Sequence, residues 1–281
     1  MNSIQIFVLR LVRLLTRPVG YRGWGFLTNF IGNRIFDPDR TISVPIHNST
    51  TLRIFLNDPY WMLMVVDDRE FEKGVGHALK RLLAADTLFL DCGANHGYWS
   101  LLGAECQATT VAVEADADNY DKLMWNCQEN GDGFVCVHAA VAAESGLTVR
   151  LKSVGYNHAG IFVAGYKVPR RGAAMDHGST QTTTIDDLVA EHSPTANAPI
   201  VIKLDVEGSE VEALKGAPAT MRDRNVTFIF EDLVAAYTAS AGDYLRDWDF
   251  SIVPIGEDNF VGTKPLMPSS ALQRPGWQHP V

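Results

Sequence analysis

From Leu82 onward the chain alternates short apolar runs with segments of helical period. Leu88–Asp91 reads as a first strand, Tyr98–Cys106 as a first helix and Thr109–Glu114 as a second strand. A helix is predicted over Asp118–Asn130, with Asp116 or Asp118 as its cap and Gly131 as its stop. Phe134–Ala140 reads as a third strand, Thr148–Ser153 as an edge strand or hairpin, and Thr184–Glu191 as a short helix. Ile200–Val206 is a near-continuous apolar run, the signature of a strand buried on both faces. Another helix begins at Glu210–Lys215, and Val226–Glu231 is a fifth strand. Phe250–Ile255 and Asn259–Val261 read as a closing hairpin across Gly256, Glu257 and Asp258. Alternating strands and helices predict a parallel, doubly wound α/β sheet, with ligands held outside the carboxyl ends of the strands.

Residues 1–80 break this pattern and read as an N-terminal extension, helical and then mixed. Val44–Ile46 and Leu52–Phe55 are its predicted strands. Ile4–Leu15 is strongly apolar, and Arg10, Arg13 and Arg17 share one helical face before Pro18 limits the helix. Its apolar runs fall well short of the roughly 20 residues that span a bilayer, and no small-residue cleavage site follows. Residues 4–17 are therefore expected either to pack on the domain or a partner subunit, or to rest on an anionic membrane as a peripheral basic helix.

Charge sharpens that division. Residues 1–36 hold five arginines and no acid, which leaves 19 of the 24 basic residues against all 33 acidic ones in the remainder. So acidic a body is a poor nucleic-acid binder. Cys92, Cys106, Cys127 and Cys136 form no C-x-x-C pair, so they read as reduced thiols rather than zinc ligands. A cytoplasmic protein, peripheral at the membrane if the basic helix is used that way, fits these features; oligomeric state is not legible.

Candidate chemistry concentrates in two clusters. The first is Thr87–Ser100, TLFLDCGANHGYWS, in which a strand ends at Asp91 and a glycine turn leads into a helix. Gly93 and Gly97 give G-x-x-x-G rather than the G-x-G-x-x-G of dinucleotide-binding turns. Such a turn lets a ligand approach the backbone, and the free N–H groups of the helix start favour an anionic group, a carboxylate as well as a phosphate. Glu114 ends the next strand, where it can take the two hydroxyls of a ribose. A ribose together with an amino-acid carboxylate describes S-adenosylmethionine.

The second cluster is Ile202–Glu210, IKLDVEGSE. It sets Lys203, Asp205, Glu207 and Glu210 where a buried strand meets a helix, and buried charges are costly unless paired or used. Between the clusters, Val154–Thr183 carries five glycines and the basic trio Lys167, Arg170 and Arg171, and reads as an irregular loop suited to acceptor binding. His158 in that loop is a candidate acceptor contact. His96, inside the glycine turn, is a candidate base, but it is expected instead to face solvent as a loop residue. Cys92 reads as a small buried filler, Tyr98 and Trp99 as core, and Trp125 and Cys127 as core or surface.

The stretches DCGANHGYWS, AVEADADNYDKLMWN, HAAVAAESG, TTTIDDL, IKLDVEGSEVEALKGA and FIFED, from about Thr87 to Asp232, resemble the FkbM family of S-adenosylmethionine-dependent methyltransferases. IKLDVEGSE is the specific part of the match. The resemblance implies a class I methyltransferase fold, Rossmann-like, with a seven-stranded and mostly parallel sheet in strand order 3-2-1-4-5-7-6. With the strand–helix alternation around it, the methyltransferase domain is expected at 81–265, after the extension at 1–80 and before a tail at 266–281. It also implies O-methylation of a sugar, glycan or natural-product hydroxyl. The family usually has a proline after the acid that ends the second strand, where this chain has Ala115 and Asp116.

On that fold Asp91, Gly93, Ala94, Asn95 and Gly97 would hold the methionine end of the cofactor, with Asp205 close by. Glu114 would take the ribose, Ala115, Asp116 and Asn119 would lie on the adenosine side, and Ala139 and Ala140 would line the adenine. Asp205 or Glu207 is expected to act as base, with Glu231 as a further acid and Lys203 beside them. The alternative use of the three acids is a divalent cation, and no metal ligand is assigned. Two rival functions remain: an NAD-dependent oxidoreductase of similar design, and a non-catalytic module that binds S-adenosylmethionine.

Overall fold

The computed structural model describes residues 41–55, 58, 60–61, 71–154, 160–165, 174–232, 240–256 and 258–264. The basic segment 4–17, the tail 266–281, His158, Lys167, Arg170 and Arg171 lie outside the described residues.

A hairpin opens the described chain, β1 Thr41–Ile46 with β2 Thr50–Phe55, followed by helix α1 Lys73–Leu82. The repeating unit then runs β3 Leu88–Cys92, α2 Tyr98–Glu105, β4 Thr109–Glu114, α3 Ala117–Glu129 and β5 Val135–His138. After β6 Ala140–Val141, β7 Thr148–Val154, β8 Ile161–Val163 and β9 Ala174–Thr183, it resumes with α4 Ile185–His192 and β10 Ile200–Leu204. It ends with α5 Glu210–Lys215, α6 Pro218–Asp223, β11 Val226–Glu231, α7 Ala241–Asp247, β12 Ser251–Pro254 and β13 Asn259–Thr263.

Seven strands form one mixed sheet in the order β12-β13-β11-β10-β3-β4-β5. Counted along the core unit this is the order 3-2-1-4-5-7-6, with β13 antiparallel to both neighbours. The central strands are buried on both faces because each sends alternate apolar residues to opposite sides. Phe89, Ala112, Val201 and Ile229 enter one core, with Leu79 of α1, Leu101 of α2, Leu123 of α3 and Leu52 and Ile54 of the hairpin. Leu88, Leu90, Val111, Val113, Ile202 and Phe228 enter the other, with Leu188 of α4, Leu214 of α5, Met221 of α6 and Leu245 of α7.

The expected third strand is split. β5 ends at His138, the Ala139 N–H donates to the Glu114 carbonyl, and Ala140–Val141 leaves to pair with β9. The presumed loop Val154–Thr183 is also corrected. Its end is the ten-residue strand β9, part of a four-stranded sheet in the order β6-β9-β7-β8. Glycine content suggested irregular backbone, but Gly178 instead occupies a left-handed position, φ +82°, at a bulge within the strand. The register steps from Arg150↔Ser179 to Lys152↔Asp176, so His177 and Gly178 together oppose Leu151.

Candidate active site

The carboxyl ends of β3, β4, β10 and β11 open into a cavity of about 370 Å³. Its floor begins at the glycine turn. Gly93 has φ +81°, and a Cβ there would sit 1.9 Å from the Asp205 carbonyl oxygen, so β3 and β10 can end side by side only with glycine at this point. The Gly93 and Ala94 N–H groups both donate to the Val113 carbonyl, which fastens the turn to β4.

Glu114, at the end of β4, is held in place by the backbone. Its Oε2 accepts the Asn95 N–H at 2.8 Å and its Oε1 accepts the Asp116 N–H at 2.8 Å. Burial lifts its carboxyl to about 7 against these two bonds. Asp116 caps α3, accepting the Asn119 N–H at 3.0 Å. Ala139 and Ala140 line the cavity together with Glu114.

The opposite side of the cavity is acidic. Lys203 Nζ donates to Asp205 Oδ2 at 3.0 Å and lies 4.0 Å from Asp91 Oδ1. Burial opposes the Lys203 charge, but the carboxylates of Asp205, Asp91 and Glu72 outweigh it and hold the ammonium above the ordinary lysine range. Glu207 sits in the left-handed region, φ 55°, which turns the chain sharply after β10. Glu231 ends β11. Burial first, then the nearby carboxylates of Asp205, Glu207 and Glu72, raise it to about 8. Among the described residues no three His, Cys, Asp or Glu side chains are grouped as a metal site.

Twelve of the fifteen predicted catalytic and cofactor-binding residues line this one cavity: Gly93, Ala94, Asn95, Glu114, Ala115, Asn119, Ala139, Ala140, Lys203, Asp205, Glu207 and Glu231. Asp91, Gly97 and Asp116 do not. Asp91 lies beneath the turn and accepts the Ser100 hydroxyl at 2.6 Å. Gly97 supplies the left-handed start of α2. Asp116 points to the four-stranded sheet. His96 corrects an expectation: it is fully buried and stacked on Trp61, because its turn faces the hairpin side of the protein and not solvent.

Other lining residues gave no sequence signal. Tyr60, Trp61, Phe71 and Glu72 come from the N-terminal region. Trp61 Nε1 donates to Asn95 Oδ1 at 3.1 Å, and Trp99 Nε1 donates to Glu72 Oε2 at 3.1 Å. Burial, then the surrounding carboxylates of Glu72, Asp205, Glu207 and Glu231, hold the Tyr60 hydroxyl well above its usual range, so it stays protonated. Ser209 is also missing from the sequence candidates. It lines the cavity, is 2% exposed, and its Oγ has no hydrogen-bond partner among the described residues.

Residues 91–252, more than half of the chain, match the Methyltransferase FkbM domain. The chain belongs to the FkbM methyltransferase family. It is therefore an S-adenosylmethionine-dependent methyltransferase, and the NAD-dependent alternative gains no support. No curated protein matches the FkbM chain in sequence. Similar solved structures include precorrin-6y C5,15-methyltransferase from Geobacter metallireducens GS-15, at 13% identity and TM-score 0.42, covering 67% of this chain and 86% of that one. A methyltransferase from Geobacter sulfurreducens aligns at 13% identity and TM-score 0.41, covering 79% and 92%. An RNA methyltransferase from Salinibacter ruber, in complex with S-adenosyl-L-homocysteine, aligns at 12% identity and TM-score 0.36, covering 70% and 92%.

The cavity of this FkbM enzyme suits its cofactor chemically. A buried carboxylate with its backbone bonds already made has lone pairs left for a diol, small alanines leave room for a flat ring, and the orphaned Ser209 hydroxyl awaits a polar partner. No helix among the described residues is long and apolar enough to cross a membrane.

Proposed function

We propose that the enzyme methylates a hydroxyl of a sugar, glycan or other polyhydroxylated natural product. The observation that carries this reading is the acid-rich half of the cavity. Asp205, Glu207 and Glu231 share one space with Glu114 and the glycine turn, and Tyr60, Trp61 and Phe71 wall it. Carboxylates accept hydrogen bonds from hydroxyls, and aromatic faces suit the C–H surface of a sugar ring.

In this reading the glycine turn holds the amino-acid end of the cofactor, Glu114 the ribose, and Ala139 and Ala140 the adenine. Bound S-adenosylmethionine supplies a methyl group activated as a sulfonium. The protein's main contribution is alignment, which can remove about 7–11 kcal/mol of a barrier. Glu231 is the preferred base. Asp205 is already engaged, its Oδ2 accepting from Lys203 Nζ at 3.0 Å. Glu231 is raised to about 8, and a general base contributes roughly 10²–10⁴-fold, most when its pKa lies near the pH of the reaction. Asp205 and Glu207 then orient the acceptor. The catalytic unit spans 81–265, and part of the preceding extension lines the acceptor side through Tyr60, Trp61 and Glu72.

Transfer of a radiolabelled methyl group to a panel of sugars, lipid-linked glycans and matched amines tests this reading. The expected product is an alkali-stable methyl ether on a polyhydroxylated acceptor. Label found only on nitrogen, or on no member of the panel, would overturn it.

A further inference from the structure

Ser153, His177 and Asp116 form a hydrogen-bonded line outside the cavity lining. His177 Nδ1 lies 3.3 Å from Asp116 Oδ2, and His177 Nε2 lies 2.8 Å from Ser153 Oγ. An ionised carboxylate can only accept, so Nδ1 is the nitrogen that donates toward Asp116. The order Ser-His-Asp invites comparison with a hydrolytic triad. Ser153 is 1% exposed, however, so no substrate reaches its oxygen. The line is a connection between parts of the fold.

Its two ends explain what it connects. Ser153 lies on β7 directly opposite Ile161 of β8. Leu151, Ile161, Phe162 and Val163 of these strands line the cavity. At the other end, Asp116 donates its N–H to Glu114 Oε1, Glu114 Oε2 accepts the Asn95 N–H, and Asn95 Oδ1 accepts from Trp61. The polar chain therefore runs without a break from the four-stranded sheet to the glycine turn. The β9 bulge belongs to it. By inserting one residue opposite Leu151, the bulge resets the alternation of β9 at His177. A regular strand would not keep both this register and the observed direction of the imidazole.

We propose that His177 is a positioning residue for cofactor binding. It locks the β7–β8 wall against the β4–α3 turn, and so holds Glu114 and the wall at a fixed separation. The ligand that profits is a nucleoside placed between Glu114 and the β8 wall. The proposal rests on the cofactor-site reading above, because it needs the nucleoside to lie beside Glu114.

Calorimetric titration with S-adenosylhomocysteine tests it, alongside urea denaturation of each variant. His177→Ala is expected to weaken binding about tenfold, the scale of one lost hydrogen bond to a charged group. His177→Gln, which keeps a donor and an acceptor on a shorter arm, should recover most of the loss. Ser153→Ala should shift binding in the same direction by a smaller factor. Hydrogen exchange at residues 160–163 should quicken in His177→Ala at temperatures where the protein remains folded. Binding within twofold of the parent in a folded His177→Ala would overturn the proposal, as would equal loss in the Gln and Ala variants. If His177→Ala does not fold, Ser153→Ala decides: parental affinity in that folded variant would overturn the proposal. Failure of the parent protein itself to bind S-adenosylhomocysteine would instead strike the cofactor-site reading.

Discussion

Glu231 shows how one residue takes its chemistry from its neighbours. Its carboxyl is raised to about 8 by burial and by the carboxylates around it, and no cation is paired with it among the described residues. If it is the base, kcat/KM for the acceptor should climb with pH and level off above about 8, because the base form of the free enzyme grows through that value. Glu231→Gln should lower turnover roughly 10²–10⁴-fold while leaving S-adenosylhomocysteine affinity close to parental. A flat profile from about pH 7 to 9, or normal turnover in the variant, would reject the assignment. The strand-end acids were legible in sequence because charge at the end of an apolar run is conspicuous. Tyr60, Glu72 and Ser209 were not. The first two reach the cavity only through tertiary packing of the N-terminal region, and a serine within a charged motif carries no pattern of its own.

At the scale of elements, the β1–β2 hairpin is fastened to the core by two asparagines of the α3 region. Asn126 Oδ1 accepts the Arg53 N–H at 2.7 Å while its amide donates to the His96 carbonyl at 2.8 Å. Asn130 serves both backbone groups of Thr51 in the same way. These side chains complete the free edge of β2 as a further strand would, and they tie the hairpin to the glycine turn. Asn126→Ala leaves a buried donor and acceptor unmet, so a loss of about 2–4 kcal/mol is expected in urea denaturation. A change below about 0.5 kcal/mol would remove Asn126 from this role. The strand–helix alternation from β3 to β11 was readable because each central strand is an apolar run closed by glycine or acid. The small sheet was not. β9, AMDHGSTQTT, is largely exposed and polar, and its pairing with β7 is decided by contacts distant in sequence.

Across the whole molecule, buried acids tie stability to pH. Glu114 and Glu210 are each raised to about 7, first by burial, and Glu231 to about 8. Unfolding returns each to an ordinary carboxylate. The folded state therefore binds more protons than the unfolded state up to about pH 8, and stability must fall as pH rises through that range. Burial lowers His47, which works in the opposite sense and takes stability away below its ordinary value of 6.5. Thermal unfolding of the ligand-free enzyme should thus show a higher midpoint near pH 6.5 than near about 8.5, with a smaller difference in Glu231→Gln. A midpoint that rises over that interval would contradict the burial of these acids. The account as a whole depends on one cavity being the cofactor site, and calorimetric titration with S-adenosylhomocysteine and with NAD, in the parent and in Glu114→Gln, tests this most directly. The expected result is saturable one-to-one binding of S-adenosylhomocysteine, none of NAD, and a loss of about 1–3 kcal/mol in the variant. Tight binding of NAD with none of S-adenosylhomocysteine, or equal S-adenosylhomocysteine affinity in the two proteins, would contradict it.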